Sequence, residues 1–261
     1  MAENHHLCGF LENIDPAAVY SPLTALADTQ LRISGDDLQV PNLNQIVAIS
    51  GGIDTTVESF LRLVSPSLRV RGLFYVEPTN GQSGAAQEPD NPSKVTDLRR
   101  SPLPLVSGEQ LNAQTNSNPG AVQEQWALVW LAAGPIAPID GPIFTVTATN
   151  ASTLTANVWT NGALTFTEDL PRGKYQVVGM RARSAGLVAA RLVFVGGSWR
   201  PGCIGGDAVT DIAPDMFRYG GFGVMGEFED IEPPTVDWLS MTADTAQDVI
   251  LDLIQVRLGP A

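Results

Sequence analysis

Apolar residues recur along this chain in short runs broken by glycine and proline, with little sustained period of 3.6 residues. That rhythm predicts an all-β protein. The sharpest local signal is Asn161-Gly162, flanked by alternating positions: Leu154, Ala156 and Val158 before it, Leu164 and Phe166 after it. Asn-Gly tolerates the positive φ angles of a two-residue turn, so a hairpin is expected there. Further strands are expected at residues 68–76, 124–132, 142–148, 223–228, 235–241 and 248–257. Polar runs at 77–93 and 107–121 read as long exposed loops. The excursion at 201–226 carries Phe217, Tyr219 and Phe222 and is expected to pack against something. A short helix is expected over residues 7–19.

The pattern also repeats. Shifted by 131 positions, residues 45–69 fall without a gap on residues 176–200, and seven of the 25 positions match. The matches are Gln45 with Gln176, Val47 with Val178, Val57 with Val188, Leu61 with Leu192, Val64 with Val195, Ser67 with Ser198, and Arg69 with Arg200. Unrelated segments would share roughly one or two. The chain of 261 residues therefore reads as two copies of one unit joined head to tail. In each copy the repeated segment reads as a hairpin. Thr55 and Glu58 have capping-box spacing, and Val57, Phe60, Leu61 and Val64 have helical spacing, so residues 56–64 alone would suggest a helix. The second copy, with Gly186 and the run Leu192-Val193-Phe194-Val195, favours strand, and the repeat carries that reading to the first.

Composition supplies material for two cores, since 44% of residues are hydrophobic and 16% charged. The net charge of −13 is spread over both halves, with 14 acids and 7 bases in residues 1–137 and 14 acids and 8 bases in the rest. A surface of that sign repels phosphate backbones, so no direct nucleic-acid partner is expected. Of the 15 basic residues only Lys94 and Lys174 are lysine. Arginine enrichment and lysine depletion mark surface that becomes protein interface, although GC-rich coding gives the same bias. Cys8 and Cys203 are the only cysteines, too few for a disulfide framework or a zinc knuckle, and they are expected as buried or interface thiols. No signal peptide or membrane-spanning run is read in the sequence.

Catalytic chemistry has few candidates. The two histidines, His5 and His6, sit together near the N-terminus, in a segment expected to be disordered, and this disfavours a Ser-His-Asp or Cys-His enzyme. Neither lysine follows the glycines of a phosphate-binding loop. The remaining candidates are carboxylates. Asp36 and Asp37 correspond, with a one-residue shift, to Glu168 and Asp169, and a second group is Glu227, Glu229, Asp230 and Glu232. Such acids could bind Ca²⁺ or act as a glycosidase pair; acids in polar loops are also commonly plain solvated turn residues. No catalytic residue and no cofactor are assigned. Asn150-Ala151-Ser152 is a formal glycosylation sequon.

Two tandem β units with long inter-strand loops fit two jelly rolls, and the duplicated pattern at 45–69 and 176–200 resembles the double jelly-roll major capsid proteins of tailless icosahedral viruses, in the compact form found in bacterial viruses. The resemblance implies an N-terminal arm at 1–20, a first jelly roll at 21–137 and a second at 138–261. It implies a non-enzymatic shell protein whose homotrimers form pseudo-hexameric tiles, assembled in the host cytoplasm into the virion. Its partners would be itself, neighbouring trimers, penton or minor capsid proteins, and an internal membrane reached through the N-terminal arm. A carbohydrate-binding or fibre-type β protein is the alternative; a double-cupin enzyme is disfavoured because its metal centre needs histidines within the barrel. Trp126, Trp130, Trp159, Trp199 and Trp238 stand in strand-like contexts and are expected to pack cores or interfaces.

Overall fold

Strands account for nearly all regular structure. The protein is seen here as a computed structural model that describes residues 5–55, 57, 59–72, 76–79, 95–206 and 215–258. Its elements divide between two compact units, one of Leu7–Pro135 and one of Met1–His6 with Ile136–Ala261.

The first part of the chain forms β1 (His5–Ile14), β2 (Ser21–Pro22), β3 (Thr24–Ala25), β4 (Arg32–Ser34), β5 (Asp37–Gln39) and β6 (Gln45–Ile53). It continues through β7 (Ser59–Val64), the short helix α1 (Pro66–Val70), β8 (Val76–Thr79), β9 (Val95–Asp97), β10 (Leu103–Pro104), β11 (Gln110–Asn116) and β12 (Gln123–Ala132). The second part gives β13 (Phe144–Asn150), β14 (Trp159–Ala163), β15 (Thr165–Phe166), β16 (Gly173–Arg183), β17 (Leu187–Val193) and β18 (Gly202–Gly206). A 3-10 turn at Asp215–Phe217 precedes β19 (Gly226–Glu229), β20 (Thr235–Ser240) and β21 (Gln247–Leu258).

In the first unit one sheet runs β10-β6-β12-β1-β3, with β9 also on β6, and the other runs β4-β5-β11-β7-β8, with β2 on β11. In the second unit the path β14-β20-β17-β18-β16-β21-β13-β15, with β19 on β16, forms one nearly closed sheet. Number the main strands of each unit in chain order: β1, β5, β6, β7, β8, β10, β11, β12, and β13, β14, β16, β17, β18, β19, β20, β21. Both units then show the same two rows, first-eighth-third-sixth and second-seventh-fourth-fifth. The duplication visible over 25 residues of sequence extends to the whole order of strands.

The repeated segment is a corner, and the hairpin reading of it is corrected. In both copies the two strands leave the turn into different rows: β6 pairs with β12 while β7 pairs with β11, and β16 pairs with β21 while β17 pairs with β20. The turn at Ser184-Ala185-Gly186 is where expected, with Gly186 at φ +63° and the Leu187 amide donating to the Ser184 carbonyl. Apolar side chains on alternate positions must face the same interior from two sheets, which is why the segment reads as two strands. Residues 59–64 are β7, so the helical spacing there is not used.

Residues 126–132 of β12 are all at most 3% exposed, and their continuous apolar run reflects burial of both faces of the strand. By contrast β13 alternates, with Val146, Ala148 and Asn150 buried and Thr145, Thr147 and Thr149 exposed. The two sheets of the first unit are tied by a buried polar cluster. Gln125 Oε1 on β12 accepts from Thr115 at 2.6 Å, Ser117 at 3.1 Å and Ser59 at 3.5 Å, while its Nε2 donates to the Ile14 carbonyl at 3.2 Å. Gln125→Leu keeps the volume but deprives three hydroxyls of their shared acceptor. It is expected to cost about 1–3 kcal/mol, read as a lower denaturation midpoint in urea with an unchanged slope.

Several sequence expectations are overturned. Asn161 and Gly162 lie inside β14, paired with Asp237 and Val236 of β20, so no hairpin turn forms there. Gly162 matters for another reason: a Cβ on it would lie 2.1 Å from the Asn150 side-chain Nδ2 and would have to displace that side chain from its bond to the Ala163 carbonyl. Residues 66–70 are helical, with Pro66 in the first turn and the Ser67 amide donating to Glu109 Oε2 at 3.0 Å, so no strand begins at 68. The run 107–121 contains β11 in place of a loop, because Leu111, Ala113 and Thr115 supply an inward face to otherwise polar sequence. Residues 7–14 belong to strand β1 and do not form a helix.

His5 and His6 are fully buried, contrary to the expected disorder. His5 packs edge-on against Phe222, His6 edge-on against Trp199, and the Arg200 amide donates to His6 Nδ1 at 3.0 Å. Burial, with His6 adding a smaller push, drives the His5 imidazole down to about 3. Within the described part of the excursion after β18, Phe217 and Phe222 are fully buried as expected, whereas Tyr219 is 60% exposed. Of the loop expected at 77–93, only the end of β8 lies within the described residues.

Candidate functional site

The outward face of β4, β5, β11 and β7 is assembled from residues two apart on each strand. The turn Gly35-Asp36 between β4 and β5, with Gly35 at φ +63°, pairs Ser34 with Asp37 and Arg32 with Gln39. Gln39 in turn lies opposite Gln110, Asn112 opposite Val64, and Gln114 opposite both Arg62 and Pro22. Alternation sends Leu38, Leu111, Ala113, Leu61 and Leu63 into the core, where each is at most 1% exposed, and leaves polar side chains on the other face.

This face is concave. Two adjoining hollows of about 590 and 630 Å³ share Asp37 and Gln110. The first is bounded by Pro22, Asp36, Asn112 and Gln114 and by the start of α1 with Arg69; the second reaches Arg32, Ser34 and Gln39. Part of the polar surface is already engaged. Arg62 stacks 3.9 Å above the Tyr20 ring and donates through Nε and Nη2 to Gln114 Oε1. Gln39 Nε2 donates to the Gly108 carbonyl at 3.1 Å, and Asn112 Nδ2 to the Asp36 carbonyl at 2.9 Å. The Asn112 side chain is otherwise unsatisfied: the residue is 7% exposed, and its Oδ1 accepts no hydrogen bond. α1 is seated beside the groove by Glu109, whose carboxylate accepts from the Val106 and Ser67 amides; burial pushes this carboxyl up, and those bonds hold it below its ordinary value.

The corresponding face of the second unit carries an ion cluster. Asn161 of β14, Asp237 of β20 and Arg191 of β17 form one row across three strands. Arg191 Nε donates to Asp237 Oδ2 at 3.0 Å, Arg200 donates to the same oxygen, and Asn161 Nδ2 donates to Oδ1 at 2.8 Å. The Arg191 guanidinium lies 4.0 Å over the Trp159 ring, and Arg191 and Asp237 are 1% and 3% exposed. Thus Arg69 and Arg200, matched by the repeat, part company: one borders an open groove, the other closes an internal ion cluster.

The acids singled out in the sequence are placed as follows. Asp36 accepts from the Thr24 hydroxyl at 3.2 Å and, with Asp37, lines the groove. Glu168 is exposed and accepts from the Thr167 hydroxyl at 2.6 Å and the Thr147 amide at 3.2 Å, which together hold its carboxyl low; Asp169 beside it is also exposed. Glu227 pairs with Lys174 at 2.5 Å and accepts from Gln176 at 2.9 Å. Burial pushes its carboxyl up, but these partners hold it at about 2. Glu229 lies opposite Lys174 on β19, and Asp230 accepts from the Gly173 amide at 2.8 Å. Among the described residues no three His, Cys, Asp or Glu side chains stand together as an ion site. Cys8 and Cys203 are both buried free thiols, and burial pushes Cys203 up to about 12.

The amide row Gln110, Asn112 and Gln114 is hidden in the sequence because, of its inward-facing partners Leu111, Ala113 and Thr115, only Leu111 is strongly apolar. Strict polar-apolar alternation over QLNAQTN was the signal available. No protein-family model, no curated protein and no solved structure matches this chain.

Proposed function

We propose that this chain is the major capsid protein of a tailless icosahedral virus, a double jelly roll whose homotrimers tile the shell as pseudo-hexamers. The observation that carries the reading is the identical order of eight strands in both units, first-eighth-third-sixth and second-seventh-fourth-fifth, on top of the 131-residue repeat. That order is what nested Greek keys give when a long hairpin is rolled into two facing sheets. Two such units per chain make six per trimer, so a near-hexagonal block arises from threefold symmetry alone.

The chemistry is that of assembly. Thirteen of 15 basic residues are arginine, which suits surface that ends at interfaces between copies. Several exposed large apolar residues stand outside the strands: Val70 at 87% on α1, and Val106 at 55%, Val195 at 69% and Ile231 at 87% on loops. No covalent step is called for in this reading. Purified protein examined by light scattering is expected at three times the 27.7 kDa of one chain, or as larger multiples of it. A stable monomer at micromolar concentration would remove the basis of the proposal.

A further inference from the structure

We propose that the groove across β4, β5, β11 and β7 binds an uncharged saccharide, gripped by Asp37, Gln110 and Asn112 with Arg69 at its rim. Three observations lead there.

First, Asn112 Oδ1 is a buried acceptor with no donor, on a residue 7% exposed that lines the hollow. Leaving such an atom unpaired costs about 1–3 kcal/mol; its own surface is closed, so a small shift of the Asn112 amide toward the hollow lets a ligand hydroxyl or N–H donate to it and remove that cost. Second, the lining includes a row of planar side chains that both donate and accept or that accept in pairs: Asp36, Asp37, Gln110, Asn112 and Gln114. Vicinal hydroxyls, each a donor and an acceptor, match such a set, and residues two apart on β11 repeat it every ~7 Å along the groove. Third, the alternatives fit poorly. The two carboxylates repel phosphate, and the apolar lining of Pro22, Val64, Pro66 and Val70 offers no aromatic or leucine pocket to anchor a peptide helix.

The second unit supplies the contrast. On the corresponding face Arg191, Asp237, Arg200 and Trp159 are locked against one another. The duplication therefore leaves the two faces with different chemistry, an ion cluster in one copy and polar hollows in the other.

The test uses the full-length protein in whatever assembly state it adopts, so its outcome is independent of the shell proposal. Linear trisaccharides of glucose, galactose, mannose and N-acetylglucosamine serve as probes in saturation-transfer NMR and calorimetry. At least one is expected to bind. Gln110→Ala, on an exposed position, and Asn112→Leu, which replaces the orphan acceptor by apolar volume, are each expected to weaken it about tenfold or more. The melting temperature of Gln110→Ala should stay unchanged, which keeps the result readable if Asn112→Leu folds poorly. Absence of binding by every probe up to about 10 mM overturns the inference. So does binding indifferent to Gln110→Ala, or a melting temperature raised by CaCl₂ and by no sugar, which would identify Asp36 and Asp37 as ion ligands instead.

Discussion

Asp252→Ala is expected to destabilise the second unit by about 3–5 kcal/mol, one of the largest effects of any single change in the chain. The Asp252 carboxylate is fully buried in the row Thr145-Asp252-Gly179. It accepts from Arg218 Nε at 2.7 Å and Nη2 at 2.9 Å, from the Tyr219 amide at 2.8 Å and from the Thr145 hydroxyl at 2.7 Å. Removing it takes the counter-ion from a guanidinium that is itself 9% exposed and cuts the tie that holds the 215–225 segment on β16 and β21. Burial pushes this carboxyl up, yet Arg218, Tyr219 and Thr145 more than offset it and the group sits below its ordinary value. With a depressed folded pKa, the stabilisation is complete above the ordinary carboxylate range and is lost as pH falls through the folded value. Chemical denaturation at pH 7 should show the full loss in Asp252→Ala, and the gap between variant and parent should narrow as the pH is lowered through and beneath the ordinary carboxylate range. A gap of the same size at both pH values would mean that packing, and not the ion pair, carries the effect.

Gly202→Val should cost about 3 kcal/mol, at the upper end for overpacking, because the obstruction is backbone. β18 is the strand that joins the two rows of the second unit, antiparallel to β17 through Gly202 and Cys203 and parallel to β16 through Gly205. A Cβ on Gly202 would lie 2.3 Å from the Ala190 carbonyl and 2.8 Å from Arg191 Cα; one on Gly205 would lie 2.3 Å from the Leu187 carbonyl. Neither contact can be relieved by a side-chain rotation. Amide hydrogen exchange should report the loss along β17 and β18 first. Gly134→Ala, where nothing lies within 4 Å, serves as the control and should remain within about 0.5 kcal/mol of the parent. Equal stability of the two variants would show that β18 has room to shift.

The repeat makes the limits of sequence reading concrete. At an offset of 131, Ala48 corresponds to Gly179. Ala48 pairs with Trp130, and Gly179 pairs with Asp252. The same place in the two units thus holds a fully buried indole in one and a fully buried carboxylate in the other. Phe60 and Arg191 likewise correspond, yet the phenyl ring is 41% exposed and the guanidinium 1%. One-dimensional pattern gives the direction a side chain takes from its strand, and what meets it there depends on loops that differ between the copies. His5 and His6 fall under the same limit. Position near a terminus suggested disorder, whereas Phe222, Trp199 and Arg200, all far along the chain, bury them.

What the sequence determined by itself was the all-β class, the duplication and the position of the longer apolar strands such as β6, β12, β16, β17 and β21, because period-two alternation and glycine-proline breaks are local consequences of the pleated backbone. It also carried the turn at Gly186 and the packing of Phe217 and Phe222. Which strands pair was decided only in three dimensions: the repeated segment crosses between rows instead of folding back on itself, and Asn161-Gly162 runs straight through β14. Pairing depends on which apolar faces meet after the chain has turned through several loops, and no local window contains that information. The groove is of the same kind, its polar lining brought together from β4, β5, β11 and β7, and so is the cluster of Arg191, Arg200 and Asp237 in the second unit.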